Sequence, residues 1–408
     1  MGREPSGGGR RCKWARSALT PPARAAKTLP MSSIDIKGHV APGFEPAAEA
    51  FAQNFEDGLE AGASFAAQAG GETVIDIWAG TAVTKIDKPW SENTLAPVFS
   101  TGKAVTALVI ASLAERGLID YDAPLADLWP DFAQHGKGEI TIAQALSHQA
   151  GVPGFREEMD PADWFDMDGI AAKLAAEEPF WEPGTQSGYH AITFGIIAQE
   201  IARRSDGRTI GAILREDFAE PNGLDLMIGT PEAEHERVAA MEKPKGYPDF
   251  GKVGPETRAA FLQPWSSPGR RGSAAWRESE FPAANCHATA RSLAESMNLI
   301  ARRGRLGGRG VLSDETFKAM MKEQIHGPDR VLPFDIAWAA GLTLNRPDEA
   351  DWFGPGEEAA GHYGFGGSCA FGDPEREIAA AYVMNQQGRV LVGDERPRRI
   401  IRALYGAL

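Results

Sequence analysis

The sequence predicts an α+β fold in which both ends of the chain build one antiparallel sheet flanked by helices, with an all-helical lobe inserted between them. Three observations lead there. Strand-like segments lie near residues 63–83 and again beyond residue 334; the stretch 118–285 alternates helical patterns with long loops and contains no hairpin signal; and 408 residues exceed one small domain. The expected division is a disordered basic leader at 1–30, a sheet domain from 31–117 with 286–408, and a helical insertion at 118–285 whose loops wall the substrate.

From Phe44, EPAAEAFAQNFEDGLE has helical apolar spacing and should end near Gly58 or Gly62. ASFAAQAGGETVIDIWAGTAV follows, two alternating runs about Gly70-Gly71, which is hairpin turn chemistry. Thr94 to Phe99 then leads into a helix whose residues Val105, Leu108, Val109 and Leu113 recur at helical spacing, with Gly117 placed to stop it. Helical stretches in the middle region include ITIAQALSHQ, HAITFGIIAQEIARR and IGAILREDFAE. Residues 241–282 lack periodicity, and so long a loop in a compact protein is usually a lid or a binding wall. A helix over TARSLAESMNLIARRG, strands in FDIAWAAGLTL, a turn at Asp373-Pro374 into EIAAAYVMNQ, and a closing helix in RPRRIIRALYGAL complete the pattern.

Composition narrows the function classes. A formal charge of −14 argues against nucleic acid as a partner. No run approaches the roughly 18 apolar residues of a membrane helix. The three cysteines are scattered without CxxC spacing, so neither a disulfide framework nor a zinc ribbon is expected, and a reducing, cytoplasmic setting fits best. Residues 1–30 hold seven Lys/Arg and one acid, a net of +6, which leaves −20 on the rest. That opening lacks an apolar core and reads as a leader, disordered rather than a transit helix because Gly and Pro interrupt it, with Met31 as a candidate natural start. No HExxH, paired CxxC or complete EF-hand loop occurs, so no metal and no cofactor are expected. A G-x-S-x-G elbow is also missing, which counts against an α/β-hydrolase.

The chemistry starts at Phe99-Ser100-Thr101-Gly102-Lys103, where a lysine opens a long apolar helix. Lys103 is either a solvated first-turn residue or a buried amine tuned as a base. A serine at a helix start has backbone N–H groups and the positive dipole end beside it, both able to stabilise an oxyanion. A lysine three residues on shares its face and can take the hydroxyl proton if burial keeps the amine neutral. One or two S-x-x-K would arise by chance in a chain this long, about as many as the single one present, so the motif alone also fits an ordinary capped helix.

The order FSTGK (99–103), ALSHQAGVPG (145–154), WEPGTQSGYH (181–190), GHYGFGGS (361–368) resembles the serine β-lactamase and penicillin-binding-protein superfamily, and within it the family VIII carboxylesterases, over about residues 44–406. The resemblance implies a β-lactamase-like fold with Ser100 as nucleophile, Lys103 as base and Tyr189 as proton shuttle. Tyr189 would manage this if the nearby lysine charge favours its phenolate. It also implies that His148 is structural. Ala191 stands where relatives often have an asparagine that holds a lactam side chain; His190 is a partial substitute or a helix-surface residue. His362-Tyr363-Gly364 replaces the usual Lys-Thr-Gly, so the site loses a permanent positive charge and suits uncharged esters better than anionic amides. Gly364 lets an edge strand approach the substrate, and the Phe365 N–H would complete an oxyanion hole with that of Ser100. Phe155, Trp181 and Trp265 are candidate substrate walls, along with Trp164, Phe165, Phe250, Phe261, Trp276 and Phe281; each also suits packing of the helical lobe.

The expected activity is hydrolysis of small to medium acyl esters through an acyl-enzyme, with a small-molecule ester as the partner and the oligomeric state open, a homo-oligomer included. The alternatives are a β-lactamase or D-amino-acid peptidase, an acyltransferase of the same architecture, or a binding protein on a dead hydrolase fold.

Overall fold

Alternation in residues 62–83 folds as the expected hairpin. β2 (Gly62–Ala69) and β3 (Glu72–Val83) pair antiparallel about Gly70 and Gly71, both at positive φ. The computed structural model describes residues 34–246 and 248–408, so the leader expected at 1–30 lies outside the described residues. A strand the pattern did not suggest, β1 (Lys37–Val40), pairs with β3. The C-terminal half contributes β4 (Ile325–Pro328), β5 (Asp335–Trp338), β6 (Thr343–Leu344), β7 (Ala360–Tyr363), β8 (Cys369–Asp373) and β9 (Ile378–Met384). The sheet order is β1-β3-β2-β9-β8-β7-β6-β5-β4, every pair antiparallel. The two chain ends therefore meet at β2–β9, where Phe65 faces Tyr382 and Ala66 faces Ala381.

Side chains alternate across that seam and feed two cores. Phe65, Ala67, Ala380 and Tyr382 join the cluster that includes Phe51, Ile400 and Leu404 of helices α1 (Glu45–Glu56) and α7 (Glu395–Tyr405). Ala66, Ala379, Ala381 and Val383 join the cluster beneath α6 (Ala290–Ser296) and α2 (Gly102–Glu115). α2 is buried on all sides from Gly102 to Leu113, and a helix apolar all round belongs in the middle of a protein. It lies between the sheet and the helical region, which includes α3 (Ile142–Leu146), α4 (Met167–Ala176) and α5 (Thr193–Asp206).

Three local expectations change. The middle region is not purely helical, because Leu226–Met227 pairs with His287–Ala288, which also pairs with Ala96–Pro97. α5 begins at Thr193, three residues after His190, since the backbone of 188–191 is spent on tertiary contacts described below. And β7 is an interior strand, not an edge. Its partner β6 reaches only Ala360 and Gly361, however, so His362 and Tyr363 are paired on the β8 side alone. The effect expected of an edge is local to the end of this strand. No helix among the described residues is long and apolar enough to cross a membrane.

Candidate active site

Ser100 sits on a 3-10 turn, Phe99–Thr101, that runs directly into α2. The turn is strained at Phe99, whose φ of +47° is uncommon for any residue with a side chain and costly for a bulky one. Packing holds it there. Thr101 Oγ1 lies 3.0 Å from Ser368 Oγ, and Ser368 Oγ donates to Val98 O at 2.8 Å. Gly364 fits against the same turn because it lacks a Cβ, which would stand 2.2 Å from both Ser368 Oγ and Val98 O.

Lys103 is wholly buried. Its Nζ lies 2.8 Å from Ala191 O, 3.0 Å from Ala283 O and 3.2 Å from Ser100 Oγ. Among the described residues no carboxylate offsets its charge, and burial drives its pKa well below the ordinary lysine value. A neutral amine has two N–H groups and one lone pair. The two carbonyls can only accept, so they take the N–H groups and leave the lone pair for the Ser100 hydroxyl. The solvated alternative for Lys103 is thereby ruled out.

Tyr189 lines the same cavity as Ser100, and its ring centroid is 4.7 Å from Lys103 Nζ. Burial raises its pKa, the neighbouring Ser100 hydroxyl opposes that rise, and Asp329 adds to it. The expected phenolate is thus corrected: with Lys103 neutral, no charge remains to favour it, and Tyr189 is a protonated phenol. His362 is also neutral, its pKa pushed down to about 3 chiefly by burial. Its Nδ1 lies 2.6 Å from Tyr363 O, an acceptor only, so Nδ1 carries the hydrogen. The bare Nε2 is buried with no partner among the described residues. Ser100, Tyr189, His362, Tyr363 and Phe365 line one cavity of about 30 Å3. Among the described residues nothing accepts a hydrogen bond from the Phe365 N–H.

Residues 51–405 match the family described as Beta-lactamase. The chain belongs to the β-lactamase family. Esterase/beta-lactamase LipL of Mycobacterium tuberculosis (strain ATCC 25618 / H37Rv) is 34% identical over 364 residues, 86% of this chain and 83% of that protein. Among solved structures, a penicillin-binding protein homolog from Caulobacter crescentus is 50% identical at a TM-score of 0.89, covering 92% of this chain and 100% of that one. A family VIII carboxylesterase is 40% identical at 0.86, with the same coverage. The β-lactamase-like fold and membership among serine hydrolases with esterase relatives follow from these likenesses.

Within this β-lactamase-family site, four expected substrate contacts lie elsewhere. His190 is fully buried rather than on a helix surface; Nδ1 meets Gly188 O at 2.7 Å and Nε2 accepts from Val152 N at 3.2 Å. Both nitrogens are thus spent on the backbone. Trp181 covers Gly188 and donates to Gln186 O, while Trp265 donates to Phe155 O, and Phe155 packs edge-on to Trp164. None of the four lines the Ser100 cavity. Phe261, from the same set of aromatic candidates, does line it, stacked 6.1 Å from Tyr189. His148 is buried at a φ of +66°, and its Nδ1 accepts the His190 N–H at 3.1 Å.

Sequence reasoning missed Asp329. Its Oδ1 accepts the N–H groups of Tyr189, Val331 and Leu332, each at 2.9 Å, and so fixes the backbone that aims Tyr189. It also missed Trp338, stacked 5.8 Å from Tyr189. Asp329 carried no signal because HGPDRVLPFD has no period and lies 140 positions from its partner.

Proposed function

We propose that the protein is a carboxylesterase that hydrolyses esters of short acyl groups through an acyl-enzyme on Ser100. One observation carries the reading: a buried lysine with no counter-charge presents its lone pair to a serine hydroxyl at a helix start. Ser100 Oγ attacks the ester carbonyl carbon while its proton passes to Lys103 Nζ. The carbonyl oxygen becomes an oxyanion held by the N–H groups of Ser100 and Phe365. The bond to the alcohol oxygen then breaks, and Tyr189 hands that oxygen a proton that the Lys103 ammonium replaces. Water adds to the acyl carbon, its proton returning by the same groups, and the carboxylic acid leaves. One ester and one water give one acid and one alcohol, and Ser100 is restored.

The cavity over Ser100 has room for only one or two water-sized groups, which supports a short acyl chain. Neutral His362 lines the same cavity and places no positive charge there, which supports an uncharged ester. The esterase relatives support the same class of reaction. Buried, unpaired Cys286 and Cys369 support a reducing compartment, and we place the enzyme in the cytoplasm. The name of the LipL relative favours lactam cleavage as a second activity. The test sets a para-nitrophenyl acetate or butyrate against a chromogenic cephalosporin, with wild type and Ser100→Ala side by side. Ester turnover that vanishes in the variant is the expected result. Efficient cephalosporin cleavage would move the reading to amide hydrolysis, and undiminished activity in Ser100→Ala would overturn it.

A further inference from the structure

A second, larger cavity of about 580 Å3 begins where the small one ends. Phe365 lines both, and Phe99, the residue before the nucleophile, lines the larger; their rings meet edge to face at 6.2 Å. The wall of this larger cavity carries Lys243, Arg271 and Arg277 and, among the described residues, no carboxylate. That is unusual in a chain with 56 acidic and 42 basic residues. Many other arginines pair with acids, Arg208 with three and Arg396 with Glu60 and Asp394.

Among the described residues Arg271 and Arg277 have no such partner, and partial burial lowers the pKa of Arg277 with no opposing charge beside it. Among the described residues Arg277 Nε is buried without a hydrogen-bond partner, and so is Gln387 Nε2 on the same wall. Arg271 remains open to solvent because it faces the cavity, with its guanidinium 5.9 Å from the Phe365 ring. Its loop is built to place it: Gly269, Arg270 and Gly272 all take positive φ, and Ser273 then caps the short helix Ala274–Glu278 that carries Arg277. The remaining titratable group on the wall, His287, is held neutral, its pKa pushed down to about 3 by burial and then by Arg277. Unpaired guanidinium groups beside orphaned donors in a concave site recognise an anion.

We propose that this cavity is an anion subsite, so that the preferred substrate is a short-chain acyl ester whose alcohol half carries a negatively charged group such as a carboxylate. The inference rests on the esterase reading for its substrate but on separate residues for its geometry. The small chamber takes the acyl group, and the alcohol half extends past Phe365 towards Arg271 and Arg277.

The test compares para-acetoxybenzoate with its methyl ester, each rate taken relative to alkaline hydrolysis of the same compound. The anionic ester should have the higher kcat/KM, by about tenfold, and the preference should shrink as salt is raised. The Arg271→Gln, Arg277→Gln double variant should lower kcat/KM about tenfold more for the anionic ester than for the methyl ester. Equal normalised rates in wild type, or equal losses in the variant, would overturn the subsite. A binding measurement separates this from failure of the esterase reading. Para-hydroxybenzoate titrated into Ser100→Ala should bind more tightly than para-hydroxybenzamide, and should lose that advantage in the double variant. If neither ester is hydrolysed, the esterase reading fails and the calorimetry still decides the subsite.

Discussion

Lys103 Nζ stands 3.2 Å from Ser100 Oγ while two carbonyl oxygens, from Ala191 and Ala283, occupy its other contacts. The amine is therefore positioned by backbone alone, from two segments far apart in sequence, and a charged group cannot be offset there. Lys103→Arg should lose ester turnover as fully as Lys103→Ala, by about 10⁴-fold, because guanidinium cannot accept the proton. The folded state rejects a proton that the unfolded chain binds up to pH 10.5, so burial of Lys103 costs stability at neutral pH, and that cost fades as pH rises towards 10.5. Lys103→Met should accordingly raise Tm at pH 7 while abolishing activity. Thermal melts alongside ester assays check both, and a lower Tm would contradict the buried neutral amine.

Acid should unfold the protein early. His190, His287 and His362 each have a pKa pushed down to about 3, in every case chiefly by burial. Below the ordinary value of 6.5 the unfolded chain binds protons that these folded sites refuse, so stability falls as pH falls. Each histidine should remove about 2 kcal/mol by pH 5. Urea midpoints measured from pH 7 to pH 5 should drop steeply, and less steeply in His362→Gln, where one of these groups is gone.

Tyr189→Phe isolates the proton shuttle. The ring stacks on both Phe261 and Trp338, and Asp329 holds the backbone, so the variant should fold with an unchanged near-UV spectrum. Loss of the hydroxyl should lower kcat by about 10²- to 10⁴-fold with a smaller change in KM. Esters with acidic leaving groups, which need no protonation, should suffer least. An equal loss across leaving groups would remove Tyr189 from that step.

Gly364→Ala tests the approach of the β7 end to the nucleophile turn. A Cβ there would sit 2.2 Å from Val98 O, a backbone atom that cannot rotate away. The turn must shift, at about 1–3 kcal/mol, and with it Ser100. Tm and kcat should fall together, the latter because a displacement near 1 Å can cost about 100-fold.

Much of this was legible in residues near one another. The hairpin about Gly70-Gly71 follows from its two-residue period and turn chemistry, and α2 from helical spacing that ends at Gly117. The candidate nucleophile and base are three positions apart on one helix start, so a local motif was enough to bring them together. β1 was not legible: four mostly exposed residues carry no alternation. Trp181, Trp265 and Phe155 were reasonable wall candidates by composition, but an aromatic residue is equally suited to a core, and only the packing chooses.

By itself, then, the sequence determined the strand segments near both chain ends, the apolar central helix and the Ser100–Lys103 pair, because each depends on periodicity or spacing within a few turns, whereas the seam between the two ends joins distant segments. Ionisation belonged to the tertiary structure. Lys103 is neutral, Tyr189 keeps its proton and His362 presents a bare nitrogen because of burial and carbonyls supplied by distant segments. The same holds for the unpaired Arg271 and Arg277, which sequence shows only as two charges in a loop. Desolvation sums over everything folded around a group, and no local pattern records that sum.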